Sequence, residues 1–180
     1  ISDIESYKDQ LTNRLDPSMS IMQGINAQIK KRPKTVVFAE GEDENMLKAA
    51  IAYKNSRLGT PIVIGNEKRV KEQLKKIGLD ADYKIKIVNS TDKEKRELYT
   101  KKLYSKLQRQ GLLERDVDRL IRNDRIVWGS SMVDCGDADA MVTGNIRHYA
   151  ASIESLKKVV EPRLGEILFG LNMLITPKKT

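Results

Sequence analysis

The 180-residue chain contains one cysteine, one histidine, one tryptophan and two phenylalanines, and aromatic residues make up only 5% of it. A single thiol, Cys135, excludes an internal disulfide framework and suits a reducing cytoplasm. With His148 as the sole imidazole, a Cys/His metal centre lacks its ligands. No apolar run approaches the ~20 residues that span a bilayer, and the first residues lack the basic-then-apolar order of a secretory signal, so a soluble chain without a membrane partner is expected. Walker and Gly-x-Gly-x-x-Gly phosphate loops are missing, and Trp128-Gly129-Ser130-Ser131 does not form a Gly-x-Ser-x-Gly elbow. The scarcity of rings leaves Ile, Leu, Val, Met and Ala to build the core, as in an ordinary α/β chain.

Positive charge is plentiful. Thirty-three Lys and Arg against 25 Asp and Glu give a net charge of +8, which raises a polyanion as partner. The basic residues are nevertheless scattered among acidic ones, as in Lys93-Glu94-Lys95-Arg96-Glu97, without the aromatic-spaced basic stripe of a nucleic-acid surface. Solvated helix faces account for most of this charge, and no nucleic-acid partner is expected.

The chain is organised around Val36-Val37-Phe38-Ala39-Glu40-Gly41-Glu42-Asp43-Glu44, a buried parallel strand that turns at Gly41 into an acidic helix start. Met46, Leu47, Ala50, Ile51 and Ala49 form that helix's apolar stripe, and Glu42, Asp43 and Glu44 lie near its positive dipole end. Ahead of it, Ile4 to Leu15 and Pro17 to about Lys31 read as helices. After it, Gly59-Thr60-Pro61 breaks the pattern before a strand at 62–65. A helix from Glu67 to about Ile77 and a strand from Ile85 to Val88 follow. The spacing then predicts three successive helices, Asp92 to Gln110 with Leu98, Leu103, Tyr104 and Leu107 inward, Glu114 to Asn123, and Ile126 to Val133. They interrupt the alternation and read as an excursion at an edge. A strand at 138–144, a helix from about Ala150 to Val160 and a last strand from Glu166 to Ile175 complete the pattern. The expected fold is α/β, three-layer αβα with a mainly parallel sheet and right-handed crossovers.

Two strand-to-helix turns are candidate ligand sites, because helix N-termini present free backbone N–H groups. Around Gly41, the carboxylates of Glu40, Glu42, Asp43 and Glu44 would repel a phosphate. That turn suits capping, pairing with a distant basic side chain, or forming a cleft wall. Thr143-Gly144-Asn145-Ile146-Arg147-His148 carries no carboxylate and is the anion-friendly turn. Arg147 there could hold phosphate or carboxylate bidentately, and His148 could donate a hydrogen bond or act as base. A surface ion pair for Arg147 and a surface helix start for His148 are the bland alternatives, the latter preferred. Cys135 and Trp128 read as packing residues.

The order and spacing of 36–44, Pro61-Ile62-Val63-Ile64-Gly65-Asn66 and Gly136-Asp137-Ala138-Asp139-Ala140-Met141-Val142-Thr143-Gly144 resemble the phosphate acetyl/butyryltransferase family, most closely the phosphotransacetylase-like C-terminal domain of bacterial NADP-dependent malic enzymes. The resemblance implies a two-subdomain fold of which this chain carries the first subdomain. On that basis residues 1–33 are a linker from a preceding domain, 34–145 the first subdomain and 146–180 the start of the second. It implies acyl-CoA or phosphate near Thr143, Gly144, Asn145, Arg147 and His148, with Glu40, Gly41 and Glu42 as cleft wall and the catalytic residues unknown. Where active transferases of the family carry an Arg-Pro pair, this sequence has Glu154-Ser155, and a further family arginine falls at Leu107. The resemblance therefore implies a cytoplasmic, homo-oligomeric, acetyl-CoA-sensing domain attached to a malic enzyme catalytic domain, which would hold the NADP and divalent metal. An active phosphate acetyltransferase is the alternative.

Overall fold

The computed structural model describes residues 17–80 and 83–172, which fall into two compact units. One comprises 1–33 and 162–180, the other Lys34–Glu161. In the first, α1 (Pro17–Lys31) opens at its proline and ends on Lys30 and Lys31, at the negative end of its dipole. The helix expected over Ile4 to Leu15 lies outside the described residues. The last strand expected from Glu166 is not formed over 166–172, where Ile167, Leu168, Phe169 and Leu171 are exposed. Apolar residues supply strand propensity, which forms a strand only where a partner strand pairs with it.

The larger unit holds a four-stranded parallel sheet in the order β3-β2-β1-β4, formed by β1 (Lys34–Phe38), β2 (Gly59–Ile64), β3 (Lys86–Val88) and β4 (Ala140–Val142). Alternate residues of β1 feed opposite layers. Val36 and Phe38 join Val63 against α2 (Glu44–Asn55) and α3 (Glu67–Lys76) through Met46, Leu47, Ala50, Ile51, Val70 and Leu74. Val37 and Ala39 join Ile62 and Ile64 against α4 (Lys93–Leu107), α5 (Glu114–Asn123) and α6 (Arg125–Asp134). A short 3-10 turn at Gln108–Gln110 and a left-handed Gly111 (φ 86°) close α4. Trp128, fully buried on α6, meets the ring of Tyr99 edge-on at 5.0 Å. Each fully buried large apolar side chain contributes about 1.5–3 kcal/mol relative to an exposed one.

Several expectations change for physical reasons. The three consecutive helices are the second layer itself: they carry the chain from edge strand β3 across the sheet face to β4 on the far side of β1. Gly59-Thr60-Pro61 belongs to β2. Pro61 pairs with Val36, but β3 joins only from Ile62, so the proline precedes the stretch flanked on both sides. Ala49 and Leu98 are exposed, while Tyr99 and Thr100 take the inward positions on α4. Gly41 is required by proximity: a Cβ there would overlap Val63 Cγ1 and lie 2.9 Å from the Ile64 carbonyl oxygen. No helix among the described residues is long and apolar enough to cross a membrane.

Candidate functional site

The strand order reverses between β1 and β4, so the connections leaving their carboxyl ends diverge and open a crevice. Both turns singled out in the sequence emerge there, and they form one site. After β1 the chain continues through Ala39, whose N–H donates to the Val142 carbonyl at 3.1 Å, and reaches Glu40, only 5% exposed. Its carboxylate accepts from the backbone N–H groups of Gly144 (3.2 Å), Asn145 (2.9 Å) and Ile146 (3.3 Å). Gly144, at φ 104°, takes a conformation L side chains rarely adopt. Successive N–H groups converging in this way make an anion-binding nest. The turn that the sequence offers to an external anion thus already holds an internal one.

The remaining acidic side chains of the first turn are equally committed. Asp43 caps α2 by accepting from Met46 N–H at 2.9 Å, and also accepts from the Asn145 side-chain amide at 2.6 Å. Glu42 points away from the helix dipole, accepting from Asn66 N–H (2.9 Å), Arg125 (2.6 Å) and Arg69 (3.3 Å). Burial opposes its ionisation, but the hydrogen bonds and charge of Arg125, with Asn66 and Arg69, hold its carboxyl below the ordinary value.

Arg147 donates to Asp124 at 2.9 Å, and the same Asp124 oxygen accepts from Ser155 Oγ at 2.8 Å. Asp124 Oδ1 also caps α6 through Ile126 N–H at 2.9 Å. Burial pushes Asp124 up, yet Arg147, Ser155 and the Ile126 amide together bring its carboxyl below the usual range. Ser155 lies on α7 (Tyr149–Lys157), so Asp124 joins α6, the turn after β4 and α7. His148 is the exposed N-cap of α7 and its side chain makes no capping bond. Thr143 Oγ1 is buried without a hydrogen-bond partner. Glu154 faces solvent and pairs with Lys158 at 3.5 Å.

Two cavities adjoin these residues. A 180 Å³ pocket is lined by Glu40, Asn123, Arg125, Ile126, Ile146 and Arg147. A more open 480 Å³ cleft is lined by Leu112, Asp116, Arg119, Leu120, Asn123, Asp124 and Arg147. The second lies within the size range of ligand sites and combines leucines with two guanidiniums. The arrangement provides anchored charge and hydrogen-bond donors, with the Ser155 hydroxyl held on the Asp124 carboxylate that Arg147 also pairs. Among the described residues no group of three or more His, Cys, Asp or Glu is placed to hold a metal. Sequence reasoning missed Asp124 and Arg125, whose only signal was the polar Asn123-Asp124-Arg125 break between two helices. It read Glu154-Ser155 as a departure from a pattern without seeing that Ser155 supports Asp124.

A family profile described as phosphate acetyl/butaryl transferase matches residues 20–180. An NADP-dependent malic enzyme from Rhizobium meliloti (strain 1021) is 41% identical over 181 residues, covering 100% of this chain and 24% of that protein. A phosphate acetyltransferase from Helicobacter pylori (strain J99) is 27% identical over 87% of this chain and 30% of its own length. A phosphotransacetylase from Streptococcus pyogenes superposes with a TM-score of 0.69 at 26% identity, covering 79% of this chain and 43% of that one. The chain therefore spans about a quarter of the malic enzyme it matches, 24% of its length. With the fold, the breadth of the profile match and the structural likeness in agreement, this chain belongs to the phosphate acetyl/butaryl transferase family.

Proposed function

We propose that this chain is the phosphotransacetylase-like regulatory and oligomerising domain of an NADP-dependent malic enzyme, that it senses acetyl-CoA, and that it performs no acyl transfer itself. The observation that carries this reading is the commitment of Arg147 to Asp124, shared with Ser155. The guanidinium of the turn is neutralised by Asp124, and the adjoining helix offers Glu154-Ser155 in place of Arg-Pro. Such a site can hold a ligand without stabilising the charge that develops on phosphate during transfer. Malate, NADP and the divalent metal would bind to the catalytic domain of the same cytoplasmic polypeptide. The effector would act by binding one conformational state better than another.

Malic enzyme activity of the full-length protein, and of a version ending just before Ile1, measured with and without acetyl-CoA, tests the proposal. Inhibition of the full-length enzyme alone is expected, and identical responses refute it. The similarity to a phosphate acetyltransferase favours a second reading, in which the complete domain converts acetyl-CoA and phosphate to acetyl phosphate and coenzyme A. Acetyl phosphate formation that disappears in Arg147→Gln would establish that reading instead.

A further inference from the structure

A cleft of 420 Å³ lies at the carboxyl ends of β1, β2 and β3, sharing Asn123 and Arg125 with the smaller pocket beside the Glu40 nest. Its charged lining consists of Arg69, Arg122, Arg125 and a single carboxylate, Glu42. Arg69 comes from the first turn of α3, Arg122 from the end of α5 and Arg125 from the start of α6, so basic residues of three separate helices line one volume, with the Arg122 guanidinium at rest on Asp118. Asn89 and Thr91, which follow β3, add an amide and a hydroxyl, while Ser90 Oγ donates to the Arg122 carbonyl at 3.0 Å and ties this segment to the end of α5. No lining residue is aromatic, and Ile64 is the one large apolar contributor.

Backbone groups do not provide the affinity here. Gly65 N–H donates to Val88 O, Asn66 N–H to Glu42, and Lys68 and Arg69 N–H to the Asn66 side chain. The guanidiniums are different. Each has five N–H donors, of which Arg69 and Arg125 give one each to Glu42, and Arg122 one to Asp118 at 2.6 Å. Glu42, 16% exposed at its side chain and held by both arginines and the Asn66 amide, is saturated as an acceptor site for cations. The cleft therefore retains excess positive charge and many donors in planar forks, a chemistry that matches bidentate phosphoryl oxygens. Its size admits more than one phosphoryl group, and its lack of rings excludes recognition by base stacking.

We propose that this cleft binds a diphosphate group, held by Arg69, Arg122 and Arg125. The group belongs either to a free diphosphate or to the diphosphate bridge of a coenzyme or nucleotide. The inference stands independently of acetyl-CoA sensing. Arg69 and Arg122 are 70% and 53% exposed at their side chains, so replacing them leaves the core intact, whereas Arg125 also anchors Glu42.

Calorimetric titration of the full-length protein with inorganic pyrophosphate, repeated with Arg69→Gln/Arg122→Gln, tests the site. The proposal expects saturable binding that weakens at least about tenfold in the double variant and with added salt. Lys48→Gln/Lys157→Gln, with the same change in net charge at residues outside the cleft, should bind as the wild type does. Absence of saturable binding, or equal weakening in both double variants, overturns the proposal. Competition by coenzyme A identifies the bridge of a coenzyme as the source; binding of pyrophosphate without such competition identifies a free diphosphate. If acetyl-CoA has no effect on malic enzyme activity while pyrophosphate binds as described, the sensing role falls and this site stands.

Discussion

Replacing Glu40 with alanine should unfasten the β1 turn from the β4 turn. The carboxylate accepts three backbone N–H groups at 3.2, 2.9 and 3.3 Å while itself nearly buried. A hydrogen bond to a charged group is worth about 1.5–3 kcal/mol net when its partners are removed from water. Gly144, Asn145 and Ile146 are exposed, so water recovers part of the loss in the variant. The long 3.3 Å contact also contributes less than the 2.9 Å one. The expected destabilisation is about 2–4 kcal/mol, which lowers the urea midpoint by about 1–2 M for a slope of roughly 2 kcal/mol/M. Glu40→Gln keeps one acceptor oxygen but turns an NH2 towards a backbone donor, and should lose about half as much. Urea denaturation gives the stability, and hydrogen exchange of the amides at 144–146 locates the loss. An alanine variant within about 0.5 kcal/mol of wild type, with those amides still protected, would refute the assignment of Glu40 as the nest's anion.

Asp124→Asn should cost about 1–2 kcal/mol at neutral pH by weakening the links to Arg147 and Ser155. Because the carboxyl of Asp124 is depressed in the folded state, its contribution is present above the unfolded pKa of 3.8 and lost as pH falls through the lower folded value. Thermal melts of the two proteins should therefore converge below about pH 4. Tyr99 is held far above its ordinary 10.0, first by burial and then by its hydrogen bond to Asp137. That stabilisation is complete below pH 10 and declines as pH rises further, so Tyr99→Phe should be less stable by about 1 kcal/mol at neutral pH and show a shallower alkaline decline. Difference absorbance between wild type and Tyr99→Phe should show no Tyr99 phenolate as the pH passes 10. Gly41→Ala should destabilise by about 3 kcal/mol, since the new methyl meets Val63 and the Ile64 backbone, read from its denaturation midpoint.

The strands and most helix boundaries were legible because burial and capping are local properties. Asp43 caps α2, a role the sequence allowed to that turn, and Glu114–Asn123 forms as the spacing predicts. The site was legible by composition and illegible by partner. Charge counting marks 143–148 as the turn that favours an anion, where the structure seats the Glu40 carboxylate, but treats Glu40 as an obstacle at a different turn. Only the strand order brings Glu40 to Gly144 across 104 residues. Arg147 raises the same difficulty: its partner Asp124 sits between two helices that the sequence assigned to an excursion. Pro61 shows that a breaker is read correctly only when the neighbouring strands are known, because its tolerance depends on where β3 begins.

The order of the strands also governs the order of assembly. β1 and β2 pair with Lys34 facing Gly59, joined by a crossover of residues 39–58 that contains α2. β4 can reach Val36 only after α4, α5 and α6 have crossed the sheet face, with Ala140 as its partner. Closing so long a loop carries an entropic cost that native contacts recover only once the loop is closed. Late formation and early opening of the nest are the expected consequence, with Glu40 an unpaired carboxylate until β4 docks, and faster hydrogen exchange at 144–146 than in β2 is the measurement that checks it. A ligand that bound at the β4 turn would then act on the segment whose docking completes the sheet, and would register as added stability of the whole domain.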